Sequence, residues 1–169
     1  MVAIRPATPR DVQPVQKIAR ESWHAAYDAV LGTETVEETV EEWYASDSLE
    51  ESIVDARERS DSTFLVAEDG TGRAVGFVHV IPWREDPAVA YLLRIYVRPD
   101  SWGDGAGTAL LESAEAALEG AYDRLRLIVL ADNEVGVSFY ESRGFERVET
   151  REGGLEGLEE HVYEKRLAG

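Results

Sequence analysis

The sequence predicts a single α/β domain built on a mixed sheet of about six to seven strands, flanked by about four to five helices. Three observations carry that prediction. The hydrophobic period changes from helical to alternating near Thr63. Strand-like and helix-like segments then alternate towards the C-terminus, so at least one neighbouring pair of strands is joined by a helical crossover. Finally, three alternating glycines, Gly103, Gly105 and Gly107, stand between a strand and an amphipathic helix.

Taken in order, residues 2–5 read as a short strand. Thr8-Pro9-Arg10-Asp11 reads as an N-cap, a proline at the first helical position and an acid at the third, so a helix is expected to start there. Val12, Val15, Ile18 and Ala19 keep helical spacing and lead into Trp23-His24-Ala25-Ala26-Tyr27. Acidic helices are expected over residues 34–45 and 48–59. Residues 64–67 and 74–81 form a hairpin around Gly70-Thr71-Gly72. Residues 88–97 are a third apolar run, expected at the centre of the sheet because it feeds the glycine segment. Residues 106–118 are helical, with Leu110, Leu111, Ala114 and Leu118 on an inward stripe. A buried strand over 125–131, a short helix over 135–143 and two strands bracketing the glycine-rich loop 153–157 complete the chain. Residues 1–169 read as one domain with no repeat or linker.

Composition narrows the function. Seventeen basic against 34 acidic residues give a formal net charge of −17. A field of that sign repels nucleic-acid phosphates and anionic lipid surfaces. Only Lys17 and Lys165 are lysines, and a carboxylate-rich, lysine-poor surface suits a salt-loaded cytoplasm in which self-repulsion is screened. We read this as halophilic adaptation. There is no cysteine, which removes disulfides, thiolate metal sites and a thiol nucleophile. No apolar run approaches a membrane span and the first residues lack a signal-peptide core, so a cytoplasmic location is expected. His24, His79 and His161 show no metal-ligand spacing, and no metal is expected.

Trp102-Gly103-Asp104-Gly105-Ala106-Gly107-Thr108 exposes backbone next to a helix start, where free N–H groups and the helix dipole favour an anion. A pyrophosphate is the natural guest. A Walker loop is excluded because no Gly-Lys-Ser/Thr follows. A dinucleotide fingerprint keeps Gly103 and Gly105, with Asp132 as its ribose acid, but Thr108 replaces the third glycine.

The whole segment from Leu93 to Leu111, with Ile95-Tyr96-Val97-Arg98-Pro99 before the glycines, is followed by Asn133 and by Phe139-Tyr140-Glu141-Ser142-Arg143-Gly144-Phe145. Together these resemble the GNAT superfamily of acyl-CoA N-acyltransferases over nearly all the chain. The resemblance implies a GNAT-like fold and an N-acetyltransferase that moves the acetyl group of acetyl-CoA to a primary amine, of a small molecule or a protein, by direct attack. It implies a cofactor site at Ile95, Tyr96, Val97, Trp102, Gly103, Asp104, Gly105, Ala106, Gly107, Thr108, Asn133, Phe139 and Tyr140. Within it Val97 would supply the oxyanion N–H, freed where its strand bulges and splays, and Tyr140 would protonate the departing thiolate. Asn133 is equally suited to the pantetheine arm and to a helix N-cap.

Two departures stand out. Trp102 replaces the Arg or Gln at the head of the loop, and Tyr91 replaces a Glu that activates the amine through water. The acceptor amine, with a pKa of about 10.4, is neutral to less than about one part in a thousand at pH 7, so a base is needed. Glu85, Asp86 and His79 are the candidates. Trp23, His24, Tyr27 and Trp83 lie where the resemblance places the acceptor wall, and His79 and Glu85 are counted with them. Two rival readings are a noncatalytic acyl-CoA sensor, motivated by the two departures, and a dinucleotide-binding oxidoreductase. A homodimer is compatible with the late strands or the loop at 153–160.

Overall fold

The computed structural model describes residues 2–152 and 158–167. The loop expected at 153–157 lies outside the described residues. The element order is β1 (Ala3–Pro6), a short 3-10 turn (Pro9–Asp11), α1 (Val12–Leu31), α2 (Thr33–Trp43), α3 (Ser46–Glu58), β2 (Thr63–Glu68), β3 (Ala74–Pro82), β4 (Val89–Val97), a second 3-10 turn (Pro99–Ser101), α4 (Ala106–Ala117), β5 (Arg124–Leu130), α5 (Glu134–Ser142), β6 (Glu146–Glu152) and β7 (Glu159–Arg166).

The first helix starts later than Thr8 suggests. Pro9–Asp11 forms a 3-10 turn, because the Asp11 carboxylate reaches back to the Thr8 N–H at 2.8 Å and also takes both Arg5 N–H groups at 2.8 Å. That part-buried clamp ties the turn to β1, and α1 follows from Val12.

The seven strands run in the order β1-β2-β3-β4-β5-β7-β6, with β4 in the middle, as expected of the run that feeds the glycines. α1, α2 and α3 bury Val15, Ile18, Val36, Leu49 and Ile53 on one face, together with Phe64 and Phe77 of the sheet. α4 buries Leu110, Leu111 and Ala114 on the other face, with Leu118 just beyond its end. Each such leucine contributes roughly 1.5–3 kcal/mol of hydrophobic stabilisation. β6 is an exposed edge, and its charged residues discourage pairing with a further strand.

What positions the site is a failure of pairing at the sheet centre. β4 and β5 are the parallel pair joined through α4, and they pair over only Val89–Arg124, Ala90–Leu125 and Tyr91–Arg126. Beyond Tyr91 the two strands part. On its other side β4 stays paired to β3 through Gly76–Val97, with a bulge at Leu93, since His79 opposes Arg94 and Val80 opposes Leu92. The bulge was expected at Val97, and it lies four residues earlier.

Candidate active site

The gap between β4 and β5 opens a cleft of about 940 Å³. Its cofactor end is the turn before α4. Gly105 has φ +86° and ψ 3°, a left-handed conformation that glycine adopts without strain, and it aims the start of the helix at the gap. The first helical bond runs from the Ala109 N–H to the Gly105 carbonyl, which leaves the N–H groups of Ala106, Gly107 and Thr108 without helical acceptors. The missing side chain of Gly107 also serves packing. A Cβ there would stand 3.0 Å from the Phe139 ring, so its absence lets α5 close onto α4.

The expected cofactor residues Ile95, Tyr96, Val97, Trp102, Gly103, Gly105, Ala106, Gly107, Thr108, Asn133, Phe139 and Tyr140 all line this cleft. Asp104 is the exception. It is exposed, outside the lining, and its N–H turns back to the Ser101 carbonyl at 3.3 Å. Trp102 does something the sequence did not suggest: its indole N–H donates to the Val97 carbonyl at 2.8 Å, and Ser22 Oγ donates to the same oxygen at 3.0 Å. These two donors lock the end of β4.

The direction of the Val97 amide follows from register. Arg98 N–H donates to the Val75 carbonyl at 2.8 Å, so the neighbouring Gly76–Val97 pair is of the non-hydrogen-bonded kind and both Val97 backbone groups face away from β3. That side is the gap. With its carbonyl engaged, the Val97 N–H is the donor presented to a ligand lying between the strands.

Asn133 combines capping, which was foreseen, with a contact that was not. Its Oδ1 accepts from the Gly136 N–H at 2.9 Å, capping α5, and its Nδ2 donates to the Tyr27 hydroxyl at 2.9 Å across the cleft. Burial pushes the Tyr27 hydroxyl up to about 12. Tyr140 is held between Phe139 and Phe145, both edge-on, and burial first, then its neighbours Tyr27, Tyr44 and Tyr91, raise its hydroxyl well above the ordinary phenol value. It therefore stays protonated, a hydrogen-bond donor rather than an acid matched to a thiol.

Sequence reasoning missed Arg143. Its guanidinium lies 4.0 Å over the Phe139 ring, and its Nε donates to Thr108 Oγ1 at 2.9 Å, with Nη2 contacting the same oxygen. A cation is thereby held at the first turn of α4, where the helix dipole is also positive, an arrangement that an anion relieves. The signal was present in the Phe-Tyr-Glu-Ser-Arg-Gly-Phe run, but nothing in the run says that its arginine reaches α4.

The acceptor end is aromatic. Trp23 and Tyr27 line the cleft there with Trp43 and Tyr44, and the Trp23 ring lies 4.7 Å from Tyr27, tilted, and 5.4 Å from Trp43, edge-on. Arg94 also lines it, with its guanidinium 4.8 Å over the Tyr44 ring.

Four expected acceptor residues, His79, Trp83, Glu85 and His24, and the base candidate Asp86 lie outside the cleft lining. His79 is buried, stacked at 4.7 Å on Phe64 away from the cleft, and burial first, then the charge of Arg94, lowers it to about 3; it is a neutral core residue. Trp83 packs at 4.9 Å on Tyr91 with the Arg126 guanidinium over its ring, outside the cleft lining, and Glu85 is exposed in the β3–β4 turn. Asp86, its neighbour, is spent on the Ala88 N–H at 2.9 Å and on Arg124 at 3.3 Å.

His24 faces out between α1 and α2, bonded to Asp28 at 2.7 Å and Glu37 at 2.6 Å. The Glu37 contact first, then Asp28, raises its pKa above 6.5. Such a clamp stabilises fully below the unfolded value of about 6.5 and fades as pH rises through the raised folded value. The melting temperature of His24→Gln is accordingly expected to fall short of the wild type most at about pH 6 and to converge with it in alkaline buffer. Equal deficits at both pH values would mean that the charge on His24 has no part in joining α1 to α2.

A slot between parted strands, closed at one end by an amide-lined helix start, defines a site for an extended anionic thioester. The model of the Acetyltransferase (GNAT) family matches residues 18–145. The spermidine N(1)-acetyltransferase of Thermoplasma acidophilum is 32% identical over 154 residues, covering 90% of this chain and 92% of that protein. The crystal structure of the PaiA N-acetyltransferase of T. acidophilum in complex with coenzyme A superposes with a TM-score of 0.85 at 28% identity, covering 98% and 99% of the two chains. Ard1 of Thermoplasma volcanium shares the fold, with a TM-score of 0.76 at 19% identity over 99% of each chain. This chain belongs to the GNAT acetyltransferase family. It is an acetyl-CoA-dependent N-acetyltransferase. The oxidoreductase reading is overturned, and with it the nucleotide role considered for Asp132.

Proposed function

We propose that the chain acetylates a small-molecule amine by direct attack on acetyl-CoA held across the β4–β5 cleft. One observation carries the reading: the two central strands part where the helix start exposes its amides, so a single extended ligand reaches both. In this reading the amides of Ala106, Gly107 and Thr108 hold the pyrophosphate, and Arg143 supplies the side-chain charge that Trp102 does not. The Val97 N–H polarises the thioester oxygen, worth about 3–4 kcal/mol for a well-placed donor. Tyr140 donates to the sulfur as the C–S bond breaks. Positioning of the two reactants does much of the rest.

Trp23, Tyr27, Trp43 and Tyr44 form an aromatic wall suited to an aliphatic amine or its cation. The spermidine N(1)-acetyltransferase relative and the net charge of −17 both support a cationic aliphatic acceptor. The test is calorimetric titration with acetyl-CoA and separately with NAD, then release of CoA thiol with spermidine, lysine and phenethylamine. Saturable acetyl-CoA binding, no NAD signal and thiol release with at least one amine are expected. Binding without turnover across a broad amine set would turn the reading towards a sensor.

The same surface charge supports a salt-rich cytoplasm as the working environment. Among the described residues, no helix is long and apolar enough to cross a membrane. The melting temperature is expected to rise steadily with potassium chloride, and a flat or falling curve would remove the halophilic reading.

A further inference from the structure

The base candidates read from the sequence do not reach the cleft, yet one buried carboxylate does. Among the described residues, three acidic side chains line it, Asp132, Glu134 and Glu160. Asp132 and Glu134 lie at the start of α5 and are both exposed, whereas Glu160 on β7 is 8% exposed.

Register places Glu160 at the acceptor end. It opposes Leu130 on β5, and cross-strand partners share a face. Leu130 belongs to the core under α1, α2 and α3, so Glu160 projects on that side of the sheet. Tyr91 pairs with Arg126, which alternation along β5 puts on the same face as Leu130. Tyr91 thus stands at the last pair before β4 and β5 part, and Glu160 stands four β5 residues further along the gap on the same face. The negative charge of Glu160 acts on the Tyr91 hydroxyl, adding to the burial that raises it, while Arg151 and Arg126 act in the opposite sense.

Among the described residues, the fold repays little of the cost of burying this carboxylate. Its ion-pair partner is Arg151 on β6, at 3.9 Å and with a side chain 43% exposed, a geometry that contributes little. A carboxylate desolvated for so weak a partner is suited to a cation that arrives from the cleft.

We propose that Glu160 receives the acceptor amine: it holds the incoming ammonium and takes the proton that the nitrogen must shed before it can attack. This rests on the transfer reading above. The held ammonium first passes one proton to the Glu160 carboxylate, which loses it to water at the cleft mouth; the freed lone pair bonds to the thioester carbonyl carbon, the C–S pair leaves on sulfur, and the second proton shed by the nitrogen goes to the departing thiolate to give the CoA thiol. Glu160 therefore supplies, from β7, the acid that Tyr91 does not supply from β4.

The experiment compares wild type, Glu160→Gln, Glu160→Asp and Arg151→Gln, using acetyl-CoA with whichever of spermidine, lysine and phenethylamine the wild type turns over fastest. At pH 7, Glu160→Gln is expected to lose about 100-fold in kcat with acetyl-CoA affinity unchanged. The loss should shrink towards pH 9.5, where solvent itself delivers more neutral amine. Glu160→Asp, which keeps the charge, should lose about tenfold or less, and Arg151→Gln should stay within about twofold. Equal losses in Glu160→Gln and Arg151→Gln, a loss independent of pH, or a Glu160→Gln chain that does not fold while Glu160→Asp is fully active would each assign Glu160 to structure and overturn the proposal. A wild type that binds acetyl-CoA and acetylates no amine would instead defeat the transfer reading itself, a result distinguishable before any variant is made.

Discussion

Gly105→Val is expected to weaken acetyl-CoA binding by about 100-fold, roughly 2.8 kcal/mol, in calorimetric titration. Gly105 is held at φ +86°, where a β-branched residue is strained, and relaxing that strain swings the first-turn amides of α4 away from the gap. An added Cβ meets nothing within 4 Å, so no clash inside the protein complicates the result. Gly72→Val is the control. Gly72 has φ +85° in the β2–β3 turn and equally open space, so it imposes the same kind of strain far from the cleft. Both variants should melt lower than wild type, and only Gly105→Val should lose affinity. Unchanged affinity in Gly105→Val would remove the anion site from the start of α4.

Tyr140→Phe is expected to lower kcat by about 100-fold while leaving acetyl-CoA affinity within about twofold. The phenyl ring keeps the edge-on contacts to Phe139 and Phe145, at 5.5 and 5.7 Å, so the fold is not disturbed. What is lost is one O–H donor facing the cleft. Because burial holds that hydroxyl protonated, its contribution is a hydrogen bond to the developing thiolate that tightens in the transition state. Stopped-flow or steady-state release of thiol separates the two parameters. A kcat within twofold of wild type would mean that water, not Tyr140, meets the sulfur.

Much of this site was legible from local sequence. The alternating glycines, the strand before them and the amphipathic helix after them are contiguous, and their conformations are decided by nearest neighbours: positive φ at Gly105, free amides in the first helical turn, apolar spacing at Leu110, Leu111 and Ala114. Asn133 as a helix cap was readable for the same reason. The residues that misled were those whose type suggested chemistry but whose place depended on packing. His79 stands on a strand beside Val78 and Val80, and only the stacking of Phe64 against it shows that it faces the core. His24 follows Trp23 directly, and helical geometry turns one towards the cleft and the other onto Glu37.

The residues that sequence reading overlooked reach the cleft from distant segments. Ser22 bonds the Val97 carbonyl across 75 positions, and Arg143 meets Thr108 across 35. Glu160 enters through the β5–β7 register, which no local pattern announces. The one-residue bulge at Leu93 shifts the pairing of β3 with β4, and the early end of β4–β5 pairing makes the gap itself.

The sequence by itself determined the element order, the sheet centre, the anion turn and the acidic surface, because periodicity, glycine conformation and charge are properties of short stretches. The tertiary structure alone decided which side chains share the cleft, because strand register and the parting of β4 from β5 are set by the balance of pairing and packing over the whole sheet.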